Sequence, residues 1–462
     1  MWGKRCYGRI EISQILVLHK AMRQNPFNPL VSLLRYEIRE IVDFVQRLQE
    51  LNPDLVIENE NIGDPVAKGW PVPPFLKDLI RDEIAKPGDK VFGYTHSRGN
   101  IETRKWIVEY SKKFSPNSNL DYENILITSG LGAGISAVYH MLPKGQRIIQ
   151  PSPSYPTHAS MESFAAGEDP ITYKLDPYNN WQPDLADLEE KLQDNPNIVG
   201  ILLINPNNPT GAVYSAETIE QLVKLAEKYG VMLISDEIYF RLVYNGHSFV
   251  QITEIAKDRV PLIVMRGLSK DVPWPGGRCG WLEFHNTHID PDFKKYVDSV
   301  KKRVLMEVCS VTLPQFLLPK IYEHPDFEAW LLAYNAHLQE NSQEIAAILS
   351  TVKGLKVNPT NGAFYMMPIF EDGVLNDKQT LPIEHEGVRK FVEEMVAKPG
   401  LPPDKRFVYY LLANTGICSV PASSFFSPYY GFRITTLDYH PDRLKEIYQK
   451  LARAIEAYLA SA

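Results

Sequence analysis

The feature that most constrains this chain is a repeated unit: a short apolar run, then a loop rich in Gly, Pro, Asn or Ser, then a stretch with helical periodicity. The runs are NILIT (124–128), RIIQ (147–150), IVGILLI (198–204), VMLIS (231–235), LIVM (262–265) and WLEF (281–284). Largely continuous apolar runs suit strands buried on both faces, and their alternation with helices is the rhythm of a mostly parallel sheet flanked by helices. One unit is complete between 204 and 231. Ile219, Leu222, Val223 and Ala226 recur at helical spacing, Ser215 stands where an N-cap belongs, and Gly230 where the helix must stop. An α/β fold is therefore expected.

The flanks differ. Residues 30–50 and 325–352 each read as a long helix, and GLKVNP, AFYMMPIF and FRITTL add strand-like pieces after the second. This predicts a large domain over about 66–320, and a smaller α+β domain combining the N-terminal segment 1–65 with 321–462. A chain of 462 residues can bury cores of this kind.

Composition narrows the function. A net charge of −7 offers no general attraction to nucleic acid or an anionic membrane, so a small-molecule partner is expected. Cys6, Cys279, Cys309 and Cys418 are scattered, without the spacing of a zinc site or a disulfide framework. No metal is expected. The run ILVL at 15–18 is too short for a membrane span or a signal sequence, so a cytoplasmic chain is expected.

In open α/β sheets ligands sit beyond the carboxyl ends of the strands, and the loops there carry polar chemistry. SGLGAG (129–134) leads into a helix with backbone N–H groups free to cradle a phosphate. PSPSYPTH brings Tyr155 and His158 on a proline-stiffened turn, NPNNPTG brings Asn208, and Asp236 and Tyr239 follow VMLIS. After LIVM comes RGLSKDVPWPGGR, which sets Lys270 and Arg278 eight residues apart across a Pro/Gly bend. A phosphate cradle, an aromatic plate, an acid, an amide–hydroxyl pair and two cations together suit one ligand, pyridoxal 5′-phosphate (PLP).

With NIGDP, GYTHSRG and GFRITTL added, the ordered motifs resemble those of fold-type I PLP-dependent aminotransferases of class I/II, from about residue 30 to the end. The segments YEIREIVDFVQRL, INPNNPTGAVYS and FRITTL are most similar to the alanine aminotransferase-like group. The resemblance implies the PLP-dependent transferase fold, with amino-group exchange between an α-amino acid of alanine, glutamate, aspartate or aromatic type and a 2-oxo acid. Another PLP enzyme of the same fold, a β-lyase, decarboxylase or oxidase, is the alternative. The resemblance implies that Lys270 holds PLP as a Schiff base and moves the Cα proton, that Asp236 pairs with the pyridine nitrogen, and that His158 supports Asp236. It gives Tyr239 and Asn208 the ring 3′-oxygen, Tyr155 the ring face, and Arg278, Ser269, Gly130, Leu131 and Gly132 the phosphate. Arg433 and Gly63 would clamp the substrate carboxylate, with Asn208 beside them. Tyr94 would cross to the phosphate of a neighbouring subunit, which makes the enzyme a homodimer with shared sites. Gly267 stands where many relatives carry a phosphate-binding serine, leaving Ser269 or a water to take that place. Tyr36 and Arg39, on the N-terminal helix, would either close over the site or simply be solvated on the helix surface.

Overall fold

A computed structural model describes residues 27–35 and 37–462. Its largest element is an eight-stranded sheet, in the spatial order Ile125–Ser129, Cys279–His285, Leu262–Gly267, Met232–Asp236, Ile198–Ile204, Arg147–Ser152, Thr172–Asp176, Gln182–Pro183. Each expected apolar run is a strand. The pairs from Leu262–Gly267 to Thr172–Asp176 are parallel.

The strand Cys279–His285, expected to run with the others, is reversed: it is antiparallel to both neighbours. The reason lies in the connection. Thr172–Asp176 reaches Gln182–Pro183 by a short turn, and likewise Leu262–Gly267 returns after only the Lys270–Arg278 bend, too little chain for a helical crossover. Continuous apolarity reports burial on both faces, not direction, which is why the reversal is invisible in the runs. Two antiparallel steps leave Ile125–Ser129 pointing the same way as Leu262–Gly267. The carboxyl ends of six strands and the starts of the two reversed ones, Cys279–His285 and Gln182–Pro183, therefore share one edge.

The helix Ala216–Tyr229 matches its expected signals: Ser215 Oγ accepts from Thr218 N at 3.1 Å and Gly230 closes it at φ 63°. The expected helix over 30–50 is corrected. A short 3₁₀ turn spans Pro29–Leu33, and the α-helix is Glu37–Leu51. The two pieces serve different surfaces. Arg35 pairs with Asp169 at 2.7 Å and its carbonyl accepts from Ser160, whereas Ile41, Phe44 and Leu48 enter an apolar cluster with Phe391 and Tyr409. One straight helix cannot do both.

That cluster also holds Phe370, Phe407, Phe432 and Tyr448, and Phe44 stacks on Tyr409 at 4.1 Å. The helix Phe327–Leu349 joins it to the core of the sheet: Phe327, Leu331, Tyr334 and Leu338 belong to the sheet's cluster, Ile345, Ala346 and Leu349 to the other. Around it, Phe432–Thr435 pairs with Val420–Pro421 and Tyr365–Met366, and Glu58–Asn59 lies parallel to Ile417–Cys418. Among the described residues no helix is long and apolar enough to cross a membrane, and no cluster of side chains suits a metal ion. Cys279, Cys309 and Cys418 are free; Cys6 lies outside the described residues.

Candidate active site

The shared strand edge opens into a cavity of about 460 Å³, with Asp236 and Lys270 in its wall. The hairpin geometry explains the spacing of Lys270 and Arg278. Lys270 follows the outgoing strand, which ends at Gly267, and Arg278 precedes the returning one, which begins at Cys279. Gly267 faces Gly280 and Cys279 faces Ser129, so both cations are delivered to the same edge. Lys270 Nζ donates to the Gly63 carbonyl at 2.9 Å and lies 5.5 Å from the Phe364 ring centre and 5.9 Å from that of Tyr239.

Asp236 closes its strand and is buried. Oδ1 accepts from Ile238 N at 3.1 Å, and Oδ2 lies 3.0 Å from His158 Nε2. His158, wholly buried, meets the Tyr139 hydroxyl through Nδ1 at 3.2 Å. Burial pushes the Tyr139 pKa well up and keeps its hydroxyl neutral, able to donate or accept, while the Asp236 carboxylate facing Nε2 can only accept. The imidazole therefore donates from Nε2, which holds one carboxylate oxygen in place. An acid aimed into an apolar sheet edge needs such partners. Tyr239 is also buried; burial first, and the adjacent Tyr365 second, hold its hydroxyl protonated. Asn208, Tyr155 and Ser269 complete this part of the wall.

At one end stands the N-terminus of the helix Leu131–His140, with Leu131 and Gly132 on the wall. Gly130 caps it at φ 79°, and a Cβ there would stand 2.6 Å from Arg278 Cζ. Only glycine lets the guanidinium lie against the helix end, where unpaired N–H groups and the helix dipole favour an anion. Gly267 has a different constraint: a Cβ would come within 2.8 Å of the Cys279 carbonyl oxygen. The tight strand pairing leaves no room there for the serine that the resemblance would place at this position, and Ser269 is the hydroxyl that reaches the wall.

Arg433 forms the other end. It is 2% exposed, with Nη1 3.2 Å from Asn208 Oδ1 and Nη2 2.6 Å from the Asn61 carbonyl. Its guanidinium lies 4.3 Å from the Tyr365 ring centre and 4.8 Å from that of Phe425. Arg433 Nε and Asn61 Oδ1 are buried without a hydrogen-bond partner within the chain. Buried polar atoms are normally paired, so a donor and an acceptor left over beside a cavity match a polar ligand. Two arginines, one of them beside a helix N-terminus, a buried acid and one lysine on a single wall fit PLP carrying an amino acid.

The structure thus brings together Lys270, Asp236, Tyr239, Tyr155, Asn208, Ser269, Arg278, Leu131, Gly132, Gly63 and Arg433, with Gly130 and His158 just behind. Tyr94 is elsewhere: it is 86% exposed and does not line the cavity. Tyr36 and the side chain of Arg39 lie outside the described residues. Sequence reasoning missed Val42, Ile62, Asp64 and Tyr365 on the wall. Ile62 and Asp64 were within reach, since they flank Gly63 in NIGDP. Tyr365 belongs to a segment whose apolar pattern signals only a strand.

The model of the family "Aminotransferase class I and II" matches residues 61–451. An uncharacterized aminotransferase of Methanocaldococcus jannaschii is 43% identical over 94% of this chain and 99% of its own length. The glutamate-pyruvate aminotransferase AlaA of Escherichia coli is 28% identical over 72% of this chain and 80% of its own. Among solved structures, the alanine aminotransferase of Pyrococcus furiosus superposes with a TM-score of 0.78 at 27% identity, covering 94% of this chain and all of that one.

Proposed function

The chain belongs to the aminotransferase class I and II family, and from that premise we propose that it uses PLP, held in the cavity at the strand edge, to exchange an amino group between L-alanine and 2-oxoglutarate. The broader activity, amino-group transfer between an amino acid and a 2-oxo acid, follows from the family itself. The observation that carries the site assignment is the placement of Lys270, Asp236 and Arg433 around one cavity. When bound, PLP supplies an electron sink for the negative charge left on the substrate Cα.

The chain's own groups then have distinct tasks. Lys270 anchors the cofactor and carries the proton to and from Cα. Asp236, steadied by His158, would accept a hydrogen bond from the protonated ring nitrogen. Tyr239 and Asn208 would hold the ring oxygen by hydrogen bonds, and Tyr155 would offer the ring an aromatic partner. Arg278, Ser269 and the amides of Leu131 and Gly132 take the phosphate. Arg433 takes the substrate carboxylate through its planar fork.

Three features support a small neutral donor side chain. Lys270, Arg278 and Arg433 are the cations on the described wall, and each has a task; Val42 and Ile62 add apolar surface. Asp64 adds a carboxylate to the same wall, which disfavours a second acidic group on the donor. The third is similarity to proteins named alanine or glutamate-pyruvate aminotransferase. Glutamate, the donor of the opposite half-reaction, brings the same α-amino and α-carboxylate groups to this site. A panel of amino donors with pyruvate, 2-oxoglutarate and oxaloacetate tests this. Alanine with 2-oxoglutarate should exceed aspartate or aromatic donors in kcat/KM by at least about tenfold, the scale of discrimination a hydrophobic pocket achieves. Faster turnover of an aromatic donor or of aspartate contradicts the substrate assignment. Release of ammonia or carbon dioxide without a product amino acid would favour the lyase or decarboxylase alternative.

The same reading includes a homodimer with shared sites, in the cytoplasm, and the division into a large unit over 66–320 and a smaller one from 1–65 and 321–462. The dimer is supported by exposed apolar side chains. Phe92 is 70% exposed, Tyr94 86% and Met306 77%, and Thr312 Oγ1 donates to the Gly93 carbonyl at 2.8 Å, joining the two segments that carry them. Such a patch on a soluble surface marks an interface. Co-expression of Tyr94→Ala chains with Lys270→Ala chains tests sharing. If Tyr94 serves the neighbour, the purified heterodimer regains one intact site and about half the wild-type activity. A heterodimer no more active than the two parents removes Tyr94 from the neighbour's site.

A further inference from the structure

Behind the carboxylate end of the cavity lies a buried group of charges outside the site itself. Lys68 Nζ donates to Glu60 Oε1 at 2.6 Å and to the Asn59 carbonyl at 3.3 Å, and lies 3.9 Å from Asp438 Oδ2. Glu60 Oε2 accepts from the Tyr448 hydroxyl at 2.9 Å and from Thr435 Oγ1 at 3.3 Å. Glu60 is 0% exposed and Lys68 3%. Burying these charges is costly, and a pair replaced by apolar side chains is often no less stable. Stability alone is therefore a weak reason for this arrangement.

Its position suggests a stronger one. Glu60 and Lys68 bracket residues 61–67, so their ion pair staples the base of the loop that supplies the cavity wall with Asn61, Ile62, Gly63 and Asp64. The carbonyl of Asn61 receives Arg433 Nη2 and that of Gly63 receives Lys270 Nζ. On the facing strand, Thr435 stands two residues from Arg433, on the same side of the strand. Glu60 thus grips Thr435 one step along from where Asn61 grips Arg433. Trp70 Nε1 adds a bond to the Leu437 carbonyl at 2.6 Å beyond Lys68.

We propose that Glu60 and Lys68 are positioning residues for substrate binding: their ion pair fixes the 61–67 loop against the strand Phe432–Thr435, and so sets the angle at which Arg433 receives the substrate carboxylate. The inference rests on Arg433 being the carboxylate ligand. Small displacements of such a ligand are expensive, since about 1 Å can cost on the order of 100-fold.

The test uses the holoenzyme with Glu60→Gln, Lys68→Met, the double variant Glu60→Gln/Lys68→Met, and Arg433→Gln. Read out are KM and kcat for L-alanine, binding of propionate followed through the cofactor absorbance, cofactor affinity, and Tm. The double variant leaves no orphaned buried charge, since Asp438 keeps Arg443 Nη1 at 3.0 Å, so its Tm recovers relative to the single variants. With a positioning role, its KM for alanine and its propionate Kd nevertheless stay raised about tenfold or more, while kcat and cofactor affinity change less than about threefold. Wild-type KM and propionate affinity in the double variant, with only the single variants impaired, make the pair a structural charge balance and overturn the proposal. If Arg433→Gln raises KM while the double variant does not, the carboxylate clamp stands and the positioning role falls. Unchanged KM in Arg433→Gln removes both.

Discussion

Replacing Lys270 with alanine is expected to lower turnover by about 10,000-fold, the upper end of what a positioned acid–base group contributes. Lys270 is the one lysine on the described wall of the cavity. Its ammonium group is held at 2.9 Å by the Gly63 carbonyl between two aromatic rings, so no other side chain there can take over both anchoring and proton transfer. The fold should survive, because the strand ends three residues earlier and its pairing with Gly280 does not involve the side chain. Unchanged circular dichroism, with loss of both activity and the absorbance of lysine-bound cofactor, is the expected pair of results. Turnover near the wild-type rate would transfer the role to another lysine.

Asp236→Asn is expected to lower kcat by about 10- to 150-fold and weaken cofactor binding by a similar factor. The substitution keeps the shape but removes the charge, and a hydrogen bond to a charged group contributes about 1.5 to 3 kcal/mol. His158 magnifies the effect. Its Nε2 donates to Oδ2 in the wild type, and an amide placed there either loses that bond or turns its own N–H₂ group against the ring nitrogen. Single-turnover kinetics at saturating PLP separate the two losses, and wild-type rates there would remove Asp236 from the chemistry.

The cofactor half of this site was legible in the sequence for a physical reason. Strands buried on both faces are continuously apolar, so the polar residues that interrupt them mark the sheet edge, and Asp236, Asn208, Tyr155, Lys270 and Leu131 all stand just past a run. What escaped depended on direction and on distant contacts. The reversal of Cys279–His285 left no trace in its apolar pattern, though it is what places Arg278 beside Gly130. Tyr365 reaches the wall from the flank of Phe432–Thr435, 87 residues beyond Arg278, and Val42 from the helix Glu37–Leu51. The pairing of Glu60 with Lys68 is equally silent, because two charges near a GDP turn read as solvated until a strand from the far end of the chain covers them. The helical pattern over 30–50 gave no sign of the break near Leu34, which comes from docking on two separate surfaces.

The central claim is that PLP is bound through Lys270 in the cavity at the strand edge. The most direct measurement is reduction of the purified enzyme with borohydride, which makes the cofactor–lysine bond permanent, followed by tryptic digestion and mass spectrometry. The account predicts the pyridoxyl label on the peptide from 267 to 278, uncleaved at Lys270, with addition of L-alanine before reduction releasing it. A label on any other lysine, or a cofactor that leaves no labelled peptide after reduction, would contradict it.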